Sequence, residues 1–165
     1  MSKVSETTHV RGSVPDTRIL FVCMGNICRS PTAEGVMRHL LAERGLDGEI
    51  EVQSAGTGGW HAGNPPDARS TAAARERGIT LQGEARQVTT SDFEDFDLLV
   101  AMDRDNLEDL RAIAPPGTEH KLRMLVADGR DVPDPYYGGP RGFEDVLDLV
   151  QAASEDLLDE LQRAR

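Results

Sequence analysis

Cys23-Met24-Gly25-Asn26-Ile27-Cys28-Arg29-Ser30 places a thiol and a guanidinium with five residues between them. The planar fork of an arginine clamps two oxygens of a tetrahedral anion. Gly25 and Asn26 tolerate a positive φ, which lets the segment curl with its backbone N–H groups turned inward. Where such a loop runs into a helix N-terminus, the amides and the helix dipole favour an anion. A cysteine in that field ionises readily, with pKa values of about 3.5 to 7.5 in comparable settings. A thiolate facing a bound phosphate group is a nucleophile aligned for in-line attack.

Plainer readings exist for the same residues. A cysteine that ends a buried strand is often a small hydrophobe. Cys23 and Cys28 also have a permitted zinc half-site spacing. The second half is missing, because His9, His39, His61 and His120 are scattered and there is no third cysteine. The nucleotide-binding pattern G-x-x-x-x-G-K-[ST] is absent too.

The loop needs a strand before it and a helix after it. Ile19-Leu20-Phe21-Val22 is a continuous apolar run, the pattern of a strand buried on both faces of a parallel sheet. Ser30-Pro31 reads as a helix cap and first helical residue, and Val36, Met37, Leu40 and Leu41 recur at helical spacing as far as Gly45. The alternation continues with strands at Ile50–Ala55, Asp97–Met102 and His120–Leu125. Helices are expected over Asp67–Arg77, over Arg104–Ile113 and from about Phe143. The expected fold class is α/β, a single Rossmann-like domain with a four-stranded parallel sheet flanked by helices on both faces. The domain covers 18–165, and 1–17, with few large apolar groups, reads as a flexible leader.

Composition narrows the partners. The 165 residues carry 18 basic and 29 acidic side chains, a net charge of −11, which argues against a nucleic-acid groove or an anionic membrane as partner. Acids crowd 142–165, whereas 18–44 holds four arginines and two glutamates. The anion site therefore belongs to the first strand-loop-helix. No stretch approaches the roughly 18 apolar residues of a membrane span, and the N-terminus lacks the apolar middle of a signal peptide. Two cysteines make no disulfide framework, so a cytoplasmic, reducing location is expected.

The string FVCMGNICRSPTAE closely resembles the signature of the low-molecular-weight protein tyrosine phosphatase family. Ser54-Ala55-Gly56, Ala85-Arg86-Gln87-Val88-Thr89, Met102-Asp103-Arg104-Asp105-Asn106 and Asp134-Pro135-Tyr136-Tyr137 resemble further family motifs in the family's order. The resemblance implies hydrolysis of phosphotyrosine in proteins, without metal or other cofactor, with phosphate or vanadate as inhibitors. It casts Cys23 as nucleophile, Arg29 and the amides of Met24 to Ser30 as the phosphate cradle, and Asp134 as general acid and base. Ser30 takes the position that hydrogen-bonds the thiolate, Asn26 the one that holds the loop, and Asp103 either a supporting place like that of Asn26 or a plain helix N-cap. Trp60, Tyr136 and Tyr137 fall where the family walls a narrow cleft for a phenyl ring. Arg77 departs from the pattern, since many relatives carry His there.

Two rivals share the scaffold. Arsenate reductases use further downstream cysteines, and none follows Cys28. Protein-arginine phosphatases typically carry Thr where this chain has Ile27, and often Phe where it has Tyr136. A phosphate-binding module without catalysis is expected to lack the nucleophile or the acid, and both types are present.

Overall fold

The computed structural model describes residues 16–135 and 141–164. Four parallel strands form its sheet: β1 (Thr17–Cys23), β2 (Ile50–Gly56), β3 (Leu98–Ala101) and β4 (Leu122–Met124), in the order β2-β1-β3-β4. β1 is central. It pairs with β2 from Thr17↔Ile50 to Cys23↔Gly56 and with β3 from Ile19↔Leu98 to Val22↔Ala101. Its residues from Ile19 to Cys23 are almost wholly shielded, as the unbroken apolar run requires of a strand covered on both sides.

The helices are α1 (Arg29–Glu43), α2 (Ala68–Arg75), α3 (Asp92–Asp95), α4 (Arg104–Ile113) and α5 (Gly142–Arg163). Alternation along β1 divides the core. Ile19 and Phe21 pack with Val36, Met37, Leu41, Val146 and Val150 under α1 and α5. Leu20 and Val22 pack with Phe93, Phe96, Leu107 and Leu110 under α3 and α4. The single α/β layer arrangement is as expected. Among the described residues no helix is long and apolar enough to cross a membrane.

Several boundaries move. The expected Ser30 cap is not used: α1 starts at Arg29, its N-cap is Cys28, and no side chain caps that end. Pro31 is accordingly the third helical residue, still within the first four whose N–H groups lack an intrahelical acceptor. Asp67 caps α2 by accepting the amides of Arg69 and Ser70, a contact worth about 1 kcal/mol, so the helix is shorter than Asp67–Arg77. The fourth strand spans three residues, because Glu119–Lys121 form a 3₁₀ turn ahead of it. The short α3 has no counterpart in the pattern of the sequence.

Candidate active site

Cys23 is the last residue of the central strand and Arg29 the first of α1, so the intervening loop sits at the carboxyl end of the sheet, beside the crossover point between β2 and β3. Asn26 has φ 58°, the left-handed conformation that makes the curl possible, and among the described residues it is the only non-glycine with a positive φ. Its amide donates to Cys23 Sγ at 3.2 Å.

The Asn26 side chain acts as the peg of the loop. The backbone N–H of Arg86 donates to its Oδ1 at 2.9 Å. An N–H can only donate, so this contact fixes the amide orientation. Nδ2 then donates to Ser30 Oγ at 2.9 Å and to Ser54 Oγ at 3.0 Å. Ser54 donates onward to Glu34 Oε1 at 2.7 Å. Ser30, fully buried, accepts from Asn26, and its Oγ lies 3.0 Å from Cys23 Sγ and 3.5 Å from the Ala55 carbonyl oxygen. Gly56 admits the loop closely: a Cβ there would lie 2.7 Å from the Met24 carbonyl oxygen.

Arg29 is buried, with 3% of its surface exposed. One guanidinium nitrogen donates to Asp103 Oδ2 at 2.5 Å and to the Val132 carbonyl at 3.1 Å, and the other lies 3.7 Å from Asp134 Oδ2. Burial works against its charge, but Cys23, Asp103 and Asp134 outweigh that and raise its pKa further. Asp103 holds two posts, since its Oδ1 also accepts the Asn106 amide at 2.7 Å and caps α4.

Cys23, Met24, Gly25, Ile27, Cys28, Arg29, His61 and Asp134 line one cavity of about 140 Å³. The nucleophile, clamp and acid named from the sequence thus meet around a single space, although Asp134 is 111 positions from Cys23. His61, to which the sequence alone assigns no role, closes one wall over Gly25, where a Cβ would meet the imidazole Cδ2 at 3.0 Å. Burial pushes the Cys28 thiol up to about 12, opposed by a bond to Ser70.

Trp60 does not line this cavity. It is 73% exposed and stands in an adjoining groove that shares Met24. Tyr136 and Tyr137 lie outside the described residues. Arg77 is remote from the loop and ties the end of α2 to α5 through Glu144 and Asp148. Glu34, whose carboxyl is raised by burial despite Ser54 and Arg38, and Arg86 both fall inside family-like motifs that assign them no role, and Asp92, paired with Arg86, gives no signal in the sequence.

The family described as low molecular weight phosphotyrosine protein phosphatase matches residues 18–165. A Bacillus subtilis low molecular weight protein-tyrosine-phosphatase, YfkJ, is 46% identical over 153 residues, covering 89% of this chain and 97% of its own. A Streptomyces coelicolor low molecular weight protein-tyrosine-phosphatase is 48% identical over 149 residues, covering 86% and 91%. The crystal structure of an Entamoeba histolytica protein tyrosine phosphatase with Hepes in its active site superposes with a TM-score of 0.87 at 38% identity, covering 90% of this chain and 98% of that one.

Proposed function

The chain belongs to the low molecular weight phosphotyrosine protein phosphatase family, and from that premise we propose a two-step hydrolysis of protein phosphotyrosine carried by Cys23, Arg29 and Asp134. The observation that carries the reading is the meeting of these three side chains around one small cavity.

In the first step the Cys23 thiolate attacks phosphorus, an S–P bond forms and the P–O bond to the tyrosine ring breaks. Asp134, entering as the acid, gives its proton to the leaving phenolate. Arg29 and the amides from Met24 to Ser30 neutralise charge on the equatorial oxygens. In the second step the Asp134 carboxylate takes a proton from water. That oxygen attacks phosphorus, and the S–P bond breaks to return thiolate and phosphate. Ser30 donates to the sulfur whenever it is an anion, which favours its departure in this step. No metal or cofactor takes part in this scheme.

The cavity is small, about 140 Å³, and Cys23 and the Arg29 cation both line it; inorganic phosphate and vanadate are therefore the expected inhibitors. A flat aryl phosphate reaches the sulfur, and Ile27, an apolar wall, offers no hydroxyl to orient water for other phosphoramidate or ester classes. A nucleophilic thiolate works in a reducing compartment, which supports a cytoplasmic site of action. The partners on this reading are phosphotyrosine-bearing proteins, with no nucleic acid or membrane involved.

Hydrolysis of an aryl phosphate by the wild type and Cys23→Ser decides the matter. Loss of turnover with vanadate binding retained is the expected result, because Arg29 and the amides remain. Appreciable turnover in the variant removes Cys23 from the chemistry.

A further inference from the structure

Among the described residues, the large apolar side chains that stand exposed are Met24, Trp60 and Ile113. They come from the phosphate loop, the loop after β2 and the last residue of α4, yet all three line one groove of about 690 Å³. Scattered exposed hydrophobes are ordinary, whereas a cluster converging on a concave surface marks a binding site. Val88, buried, also lines it.

The groove adjoins the catalytic cavity. Met24 belongs to both, and the consecutive residues Trp60 and His61 divide between them, the indole lining the groove and the imidazole the cavity. The indole is held in place despite its exposure. A Cβ on Gly58 would lie 1.9 Å from its Cζ3, so the ring rests directly on glycine backbone.

We propose that this groove takes a large aliphatic side chain of the protein substrate, a leucine, isoleucine or methionine a few residues from the phosphotyrosine. The inference rests on the phosphatase reading of the Cys23 cavity and adds the sequence preference of its substrates. Three observations fix the occupant. The groove adjoins the Cys23 cavity through Met24, so residues flanking a phosphotyrosine held there are within reach of it. Ten described residues line it, well short of the roughly 20–30 that each partner of a stable dimer contributes. Its charged lining residue is Asp109, in a chain of net charge −11, so an acidic flank is repelled.

Partial burial of an aliphatic side chain in an open groove discriminates by about 5- to 20-fold, below the roughly 150-fold reached in enclosed apolar pockets. The test uses phosphotyrosine peptides in a Gly/Ser background, with one leucine moved through three positions on either side, and a matching aspartate series. The wild type should show a 5- to 20-fold higher kcat/KM for leucine over glycine in at least one position, with aspartate there below glycine. Ile113→Asp should erase that advantage to within about twofold while hydrolysing a small aryl phosphate as the wild type does.

A flat leucine scan with normal aryl phosphate hydrolysis overturns the groove and leaves the catalytic reading standing. An advantage that survives in Ile113→Asp overturns it as well. Self-association of the wild type that Ile113→Asp abolishes, seen by sedimentation, assigns the groove to a second copy and equally overturns the proposal. Loss of turnover on every substrate, with Cys23→Ser indistinguishable from wild type, is instead the failure of the catalytic reading.

Discussion

The hydroxyl of Ser30 stands 3.0 Å from the sulfur of Cys23, accepts from the Asn26 side-chain amide at 2.9 Å and lies 3.5 Å from the Ala55 carbonyl oxygen. A thiolate can only accept, so once the sulfur ionises the Ser30 proton goes to it, the nearer of its two acceptors. A hydrogen bond to an ion is worth about 1.5–3 kcal/mol, and it acts most where the sulfur is most anionic, as the phosphocysteine breaks down. Ser30→Ala should therefore slow breakdown of the intermediate by about 10- to 100-fold. Stopped-flow release of nitrophenol should show a burst of about one equivalent followed by a slow steady state. A variant with no burst and unchanged kcat assigns Ser30 to packing alone.

Asp134 approaches Arg29 at 3.7 Å and remains about a third exposed at the cavity rim. On the proposed mechanism a group there meets the leaving oxygen while the sulfur attacks from the opposite side. Asp134→Ala should lower kcat on phosphotyrosine by about 10²- to 10⁴-fold, the range for removing a general acid. The loss should shrink toward unity for aryl phosphates whose phenols are strongly acidic, since those leave without a proton. An equal loss across the leaving-group series makes Asp134 a partner of Arg29 and nothing more.

Much of this site is legible in the sequence because its chemistry is local. Cys23 to Ser30 is a continuous loop, and the apolar run ahead of it and the helical spacing behind it announce the supporting strand and helix. What is illegible is contact across the fold. Glu34 looks like a surface residue of α1 until β2 brings Ser54 to it, and His61 has no reading until Gly25 opens space beneath the imidazole. Ser30-Pro31 carries a strong local cap signal, but Cys28 and Arg29 take helical geometry one step earlier, and the serine is recruited by the sulfur instead. Trp60, by resemblance a wall of the phenyl cleft, does not line the Cys23 cavity. It stands in the neighbouring groove instead, a placement set by the Gly58 backbone beneath the indole and not readable from its type.

Cys28 shares the catalytic cavity with Cys23, and burial keeps its thiol protonated, with a pKa of about 12. Peroxide oxidises a Cys23 thiolate to sulfenic acid, losing hydroxide, and the Cys28 thiol then condenses with it, forming a disulfide and releasing water. The attacking species is the Cys28 thiolate, scarce at neutral pH. Its fraction rises about tenfold per pH unit while pH stays below the pKa. Disulfide formation should accordingly accelerate by nearly that factor between pH 7 and 8. Wild type should recover activity in dithiothreitol, and Cys28→Ser should recover far less after the same exposure. Equal recovery of the two proteins leaves Cys28 as packing.

The orientation of Asn26 depends on the Arg86 backbone, and Arg86 is in turn held by a two-point pair with Asp92, at 2.9 and 3.0 Å. Asp92 is buried. Burial alone would raise its pKa, but Arg86 and the Thr89 amide, donating at 2.8 Å, outweigh burial and lower it from the ordinary 3.8. A carboxyl whose folded pKa is depressed stabilises the fold fully above its unfolded pKa and loses that contribution as pH falls through the folded value. Asp92→Asn should therefore cost about 1–3 kcal/mol in urea unfolding at pH 7, and the gap from wild type should narrow below pH 3.8. Because the Asn26 peg loosens with it, kcat at pH 7 should fall as well, with aryl phosphate KM rising. A stability difference that stays constant from pH 7 to pH 3 shows that the charge of Asp92 contributes nothing, and the Arg86 contact then acts only through shape.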